Sequence, residues 1–147
     1  MDHAVSIERI LKAMETFYHS GIRTTCFISP IFPGITDVKA IIQRAKNQCH
    51  LIWLENLNLR VNYKSTIMSY IQEKYPHLLL LYQDIYNHGQ LDYWQDLDQE
   101  LQTFAKEIGL DYVTNDDSMQ RAFDEPPIIV NYFYHSQIKK AATKKSE

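Results

Sequence analysis

Cysteine, glycine, proline and long apolar runs are all scarce in this sequence of 147 residues, which contains two Cys, four Gly and five Pro. Two cysteines cannot build a disulfide framework, and no C-x-x-C pair occurs, so the sequence predicts a reducing, cytoplasmic environment. So few turn-forming residues argue against an all-β sandwich or barrel. The longest apolar run, Leu78–Leu81, is far shorter than the roughly 20 residues of a membrane helix, and the first residues do not resemble a signal peptide.

An excess of basic residues is also missing, because 15 Lys and Arg stand against 18 Asp and Glu, giving a net charge of -3. Proteins that coat a nucleic-acid backbone usually carry a basic excess, so broad nucleic-acid binding is not expected. The six histidines never stand at i, i+4 or H-x-H spacing, which excludes a recognisable metal motif. Neither a P-loop nor a G-x-G-x-x-G or G-x-S-x-G motif is present.

The first 60 residues alternate between helix and strand patterns. The apolar spacing predicts a helix over Ser6–Ser20 and another over Asp37–Asn47, with Thr36 or Asp37 as its cap. Short runs rich in β-forming residues predict strands over Arg23–Ser29 and Leu51–Leu59. A helix-strand-helix-strand order predicts two parallel strands joined by a right-handed crossover, and therefore an α/β fold.

The rest of the sequence predicts three further helices and one further strand, all in the same domain. The helices are predicted over Tyr63–Tyr75, over His77–Tyr86 and from Asp92, as the cap, to Gly109. The predicted organisation is a helix-strand-helix-strand unit at 1–62, a helical extension at 63–113, a loop at 114–127, a strand at 128–135 and a disordered tail at 136–147. The many tyrosines on these helices are interpreted as packing residues.

Polar residues stand where the two predicted strands end. On period two, Asn58 and Arg60 share a face at the end of the second strand, and the loop from Ser29 to Asp37 follows the first. Ligands of α/β proteins bind beyond the carboxyl ends of the strands, so this edge is the candidate site. The alternative is structural: the polar groups cap neighbouring loops, and proline and glycine stiffen a connection. Glu55 is either a ligand-facing residue or part of a buried ion pair.

Two blocks of sequence resemble radical SAM enzymes, in particular the spore photoproduct lyase-like or "DNA repair photolyase" group. The first block includes Gly21-Ile22-Arg23-Thr24, Phe27-Ile28-Ser29-Pro30-Ile31 and Pro33-Gly34-Ile35-Thr36-Asp37. The second is Trp53-Leu54-Glu55-Asn56-Leu57-Asn58-Leu59-Arg60, followed by Tyr63-Lys64. The similarity extends over about residues 4–75 and is weaker beyond them.

The resemblance implies a partial (β/α) barrel fragment with several C-terminal helices. It also implies S-adenosylmethionine and a [4Fe-4S] cluster held by C-x-x-x-C-x-x-C, but Cys26 and Cys49 have 22 residues between them and cannot form that motif. The chain is therefore interpreted as the C-terminal portion of such an enzyme, inactive alone. The alternative is a non-catalytic small α/β interaction module. Nucleic acid is a partner only by this resemblance.

The resemblance also assigns binding residues to the carboxyl edge. The S-adenosylmethionine pocket is expected to be lined by Ser29, Ile31, Gly34, Asn58 and Arg60. Ile31 would contact the adenine face, and the forked donors of Arg60 would suit a carboxylate or phosphate. Catalytic residues cannot be assigned.

An isolated barrel half is expected to leave sheet edges and one sheet face uncovered. The side chains expected to be left exposed to water there are those of Phe27, Ile28, Ile52 and Leu54. The missing N-terminal barrel half would cover them in a longer protein. In this chain alone we expect a homo-oligomer through the edge or the face, or else Ile128–Tyr134 folding back as a third strand.

Overall fold

The computed structural model describes residues 7–59, 61–114 and 125–133. Its helices are α1 (Ile7–His19), α2 (Val38–Ala45), α3 (Val61–Lys74), α4 (Leu79–Tyr86) and α5 (Asp92–Ile108), with a short 3₁₀ helix at Pro76–Leu78. Its strands are β1 (Thr25–Ile31), β2 (Leu51–Asn56), β3 (Asp111–Thr114) and β4 (Ile128–Asn131). The α/β class and the order of the first four elements are confirmed. β3 is not predicted from the sequence.

The four strands form one parallel sheet in the order β1-β2-β4-β3. Thr25 pairs with Leu51, and Leu51 pairs in turn with Ile128, so β1, β2 and β4 lie side by side. The predicted parallel pairing of the first two strands is confirmed. β4 folds back and pairs with β2, which is one of the three expected ways of covering the sheet. β3 pairs with the other edge of β4.

β1 is shifted by two residues from the predicted Arg23–Ser29, and β2 is shorter than predicted. β1 continues through Pro30 to Ile31, and its register with β2 shifts between Ile28 and Ile31. Proline has no N–H for a ladder, and a strand at the edge of a sheet tolerates it. β2 ends at Asn56 rather than Leu59, because the carbonyls beyond it accept hydrogen bonds from helix side chains, as described below.

The helix ends partly follow the predicted signals. Asp37 caps α2, accepting a hydrogen bond from the backbone N–H of Ala40 at 3.1 Å. Gly109 ends α5 in the left-handed conformation with φ 76°. Asp92, however, lies in the first turn of α5 and is not its cap, because Leu91 occupies that position. The predicted cap Ser6 lies outside the described residues.

Helices α1, α2, α4 and α5 pack on one face of the sheet, and this face holds the main core. α3 packs instead against α4 and the segments that follow β1 and β2. Strand residues Cys26, Ile28, Ile52, Leu54 and Ile129 are buried in the main core together with Leu11, Ile42, Ile85, Trp94 and Leu101 of the helices. The prediction that the side chains of Ile28, Ile52 and Leu54 are exposed to water is therefore wrong, since helices cover their face of the sheet. Phe27 points to the opposite face and is 65% exposed, as predicted.

The face opposite the helices carries a second, smaller cluster. Leu51, Ile128 and Val130 are buried in it, with Trp53 and Val113 at its margin. Within the described residues, this cluster is made of strand side chains alone. None of the described helices is long and apolar enough to cross a membrane.

Candidate functional site

The carboxyl ends of β1 and β2 continue into two neighbouring loops, which we name the first rim loop (residues 32–37) and the second rim loop (residues 57–59). The first loop folds on itself: the Phe32 N–H donates to Thr36 Oγ1 at 2.9 Å, and the Thr36 N–H donates to the Phe32 carbonyl at 3.0 Å. The Leu57 N–H donates to the Ile31 carbonyl at 3.1 Å. This bond holds the starts of the two loops side by side.

Two tyrosines attach the first rim loop to the helices. The buried Tyr82 of α4 donates its hydroxyl proton to the Pro33 carbonyl at 2.9 Å. The Gly34 N–H donates to the hydroxyl oxygen of Tyr93, in α5, at 2.8 Å. Gly34 has φ 72°, which favours glycine, so the turn that presents this N–H depends on the residue type. The loop is thus fixed from two helices.

The second rim loop is attached in the same way. Tyr86 donates to the Leu57 carbonyl at 2.7 Å, and Tyr63 donates to the Asn58 carbonyl at 2.9 Å. Lys64 Nζ donates to the Tyr86 carbonyl at 2.8 Å and ties α3 to the end of α4. Since the Leu57 and Asn58 carbonyls bond to hydroxyls, they do not extend β2.

Burial raises the pKa of Tyr82 and of Tyr86 well above the ordinary tyrosine value. Both hydroxyls therefore remain protonated donors at any physiological pH. The tyrosines are predicted from the sequence as packing residues, and their rings do pack, with the Tyr82 and Tyr86 centroids 5.8 Å apart. Their role in positioning the rim loops is not predicted, because helical spacing shows which face a tyrosine occupies but not which distant carbonyl its hydroxyl reaches.

The structure places the five predicted site residues in different surroundings. Ile31 is 1% exposed in the core beneath the helices, whereas Asn58 is exposed at the rim. Ser29 is on the opposite sheet face, and Gly34 lines a pocket of about 410 Å³ between the first rim loop and α5. Arg60 lies outside the described residues. Within the described part of the chain, Gly34 and Asn58 belong to adjacent rim loops, and Ser29 is separated from both.

Glu55 does not form a buried ion pair within the described residues. Its Oε1 accepts a hydrogen bond from Trp53 Nε1 at 2.8 Å, and its Oε2 accepts one from Ser29 Oγ at 3.1 Å. All three residues lie on the face opposite the helices. The buried ion pair expected as one interpretation of Glu55 is therefore not found among the described residues. Its carboxylate lies instead on the sheet face opposite the helices.

A polar cluster that is not predicted from the sequence holds β4 against α5. Asn131 is 1% exposed, and its side-chain amide donates to Asp98 and, at 2.7 Å, to the hydroxyl oxygen of Tyr112. Tyr112 donates to Asp98 Oδ1 at 2.7 Å. Asn131 Oδ1 accepts from the Phe133 N–H at 2.6 Å. Every group has a partner inside the cluster, so its role is to fix the strand end.

The described residues do not fit an iron–sulfur cluster. No group of three His, Cys, Asp or Glu side chains among them could hold a metal ion. Both cysteines are buried in the main core, and burial raises the pKa of the Cys49 thiol to about 12. Because thiolates are the ligands of such clusters, neither cysteine is suited to this role.

Comparison with known proteins gives one informative similarity. The protein named Uncharacterized protein MJ0683, from Methanocaldococcus jannaschii, is 35% identical to this chain over 71 residues. The aligned stretch covers 48% of this chain and 27% of that protein, so the chain matches about a quarter of the length of this relative. No family model matches the chain. No solved structure gives a significant match.

Proposed function

We propose that this chain is the C-terminal portion of a radical SAM-type enzyme of the photolyase-like group, inactive by itself. The observation that carries the proposal is the placement of the two sequence blocks on which the resemblance rests. They form the adjacent parallel strands β1 and β2, and their following loops lie side by side at the carboxyl edge. This edge is where α/β proteins bind their ligands.

The one-sided arrangement of the helices supports the barrel part of the proposal. In a (β/α) barrel all helices lie outside the strands, whereas an open doubly wound sheet has helices on both faces. Helices α1, α2, α4 and α5 pack on one sheet face, and no described helix contributes to the cluster on the other face. The strand order departs from that of a simple barrel, because β4 lies between β2 and β3 whereas consecutive strands of such a barrel are neighbours.

The proposed cofactor pocket has its described part at the rim loops. Asn58 is exposed there, and the resemblance adds Arg60 as a partner for a carboxylate or phosphate. The cluster that S-adenosylmethionine chemistry needs would come from an N-terminal barrel half, since the cysteines of this chain do not fit it. A nucleic-acid substrate and a cytoplasmic location belong to the same proposal. We derive no reaction step for this chain.

The decisive experiment compares this chain with the product of the longer reading frame. After anaerobic reconstitution with iron and sulfide, we expect no 5′-deoxyadenosine from the chain alone. If the DNA upstream of Met1 encodes C-x-x-x-C-x-x-C in frame, we expect the longer product to be brown, to hold about four iron atoms and to cleave S-adenosylmethionine. Turnover by the chain alone, or a longer product free of iron, would contradict the proposal.

The rim residues are tested in the longer product. Asn58→Ala and Arg60→Ala should each weaken the binding of S-adenosylmethionine about fivefold or more, since each would remove a polar contact. Glu73→Gln, on the exposed surface of α3, is the matched control and should not change it. Unchanged affinity in both rim variants would remove these residues from the pocket.

The second candidate is a non-catalytic α/β interaction module. The observation that favours it is Phe27, which is 65% exposed on a strand that has β2 as its one partner among the described residues. Such a surface suits a protein partner or a second copy of the chain. A reading frame that encodes no upstream cysteines, together with concentration-dependent dimerisation in light scattering, would favour this function over the first.

A further inference from the structure

Three aromatic rings lie in a row on the sheet face opposite the helices. Phe27 of β1 pairs in register with Trp53 of β2, with ring centroids 6.1 Å apart and planes at 48°. Tyr132, just after β4, stacks on Trp53 at 4.8 Å and 28°. The stacked pair leaves no room between its rings, whereas the Phe27 and Trp53 planes are tilted, Phe27 is exposed and Trp53 is half-buried. We name these three residues, with Glu55 and Ser29, the aromatic face.

The carboxylate of Glu55 lies at the edge of the Trp53 ring. Its two hydrogen-bond donors, the Trp53 indole N–H and the Ser29 hydroxyl, are both neutral. Among the described residues, no Lys, Arg or His lies within ion-pair distance of this carboxylate. The two donors fix its position beside the rings without neutralising it. A negative charge with a fixed geometry therefore faces outward from the sheet.

The rings and the carboxylate favour the same kind of ligand. The faces of aromatic rings carry partial negative charge and attract cations, most strongly at Trp. The carboxylate attracts a cation as well, and each of its oxygens keeps lone-pair capacity beyond its one hydrogen bond. A phosphate or carboxylate ligand would be repelled. A hydrated inorganic cation would make few contacts with the rings. A cation with apolar substituents can contact the rings and the Glu55 carboxylate at the same time.

We propose that the aromatic face binds a small organic cation of the substituted-ammonium class. Trp53 and Phe27 contact its apolar substituents, and Glu55 supplies the opposite charge. Ser29 and the Trp53 indole N–H act as positioning groups that hold the carboxylate. The site uses neither the rim loops nor a metal, so it does not rest on the proposed cofactor pocket. In the barrel of the proposed function, this sheet face would line the interior.

The experiment follows the Trp53 indole N–H resonance by two-dimensional proton–nitrogen NMR during titration with choline. This proton bonds to Glu55, so it reports directly on the carboxylate, and the spectrum of Trp53→Phe identifies its peak. The matched neutral ligand is 3,3-dimethyl-1-butanol, which has the shape of choline without its charge. We expect a saturable shift with choline, and binding of the alcohol weaker by about tenfold or more. Sodium chloride at equal ionic strength should give no saturable shift.

Variants decide whether the named residues form the site. Glu55→Gln keeps acceptor capacity but removes the charge, and it should weaken choline binding about fivefold or more. Phe27→Leu changes an exposed residue without touching the core, so it should weaken binding while the fold persists. Glu73→Gln, on α3, should have no effect. Equal binding of choline and the alcohol, or unchanged binding in both Glu55→Gln and Phe27→Leu, would overturn the proposal. A saturable shift with glucose and none with choline would overturn it in favour of a carbohydrate site.

Discussion

At the scale of single residues, the hydroxyl of Tyr86 is expected to matter for stability. It donates to the Leu57 carbonyl, and Tyr86→Phe would leave this carbonyl without its partner while preserving the ring. We expect the free energy of unfolding to fall by about 1–2 kcal/mol. Urea denaturation measures this change. The control is Tyr70→Phe, because Tyr70 is 44% exposed and should shift stability by less than about 0.5 kcal/mol. Equal effects of the two substitutions would contradict a role for the Tyr86 hydroxyl.

The buried thiol of Cys49 predicts a loss of stability at alkaline pH. Burial raises its pKa from 9.0 to about 12, so the unfolded chain releases this proton at lower pH than the folded one. The contribution of this thiol to the free energy of unfolding is therefore complete below pH 9. It declines as pH rises from 9 toward 12, by up to about 1.4 kcal/mol per pH unit. The check is the free energy of unfolding at pH 8 and pH 10. The decline should be steeper in the native chain than in Cys49→Ala, and parallel declines would show that other groups cause it.

Single residues also show where inference from sequence stops. The cap of α2 follows from a local pattern, and the structure selects Asp37 from the two predicted residues, Thr36 and Asp37. The hydroxyl of Tyr82 reaches a carbonyl 49 positions away, and that of Tyr112 reaches Asp98 in another element. Such bonds depend on how elements dock in space. Local spacing therefore cannot predict them.

At the scale of elements, the first rim loop depends on Gly34. A Cβ at this position would lie 2.9 Å from Leu78 Cδ2, and φ is already positive. Gly89 has φ 67° but no atom within 4 Å of its Cβ position, so Gly89→Ala isolates the backbone cost of about 1–2 kcal/mol. We expect Gly34→Ala to cost about 1 kcal/mol more, because Leu78 packs in a cluster with Tyr82.

A double substitution tests the cause of this difference. Leu78→Ala removes the atoms that a Cβ at position 34 would meet, so Gly34→Ala should cost less in that background than in the native chain. Thermal or urea unfolding of the four proteins gives the coupling. Equal costs for Gly34→Ala and Gly89→Ala in the native chain would show that Leu78 moves aside freely.

The elements themselves follow unevenly from the sequence. α1, α2 and α5 are predicted nearly to their ends because apolar stripes and end signals agree. β3 is not predicted as a strand, because its four residues are exposed or half-buried and carry no alternating pattern. The end of β2 is also missed, since Leu57 and Leu59 continue its apolar pattern while tyrosine hydroxyls take the carbonyls of residues 57 and 58.

At the scale of the whole molecule, the sheet order predicts a gradient of hydrogen exchange. β2 and β4 each have a strand on both sides, while β1 and β3 have one partner each among the described strands. We expect amide protons of Ile52, Leu54 and Ile129 to exchange at least about tenfold more slowly than those of Phe27 and Val113. Exchange measured by NMR provides the test. Slower exchange in β1 than in β2 would indicate that another segment or a second copy covers its edge.

The parallel pairing of β1 and β2 follows from the order of elements, but the position of β4 does not. A strand that returns after a helical segment can join either edge of a sheet. In the structure it joins β2 through Ile128 and Ile129, whose apolar side chains face different clusters on the two sides of the sheet. The choice therefore depends on burial on both faces together, which the sequence of one strand does not reveal.

The position of β4 determines when the sheet can form during synthesis of the chain. β3 has β4 as its one partner in the described sheet, so it has nothing to pair with until residues 128–131 have left the ribosome. Until then β2 also has an unpaired edge. Completion of the sheet thus waits for one of the last segments to be synthesised, and its contacts close over long sequence separations, which slows folding. A chain that stops before Ile128 would lack β4, and β3 would then have no strand in the described sheet to pair with.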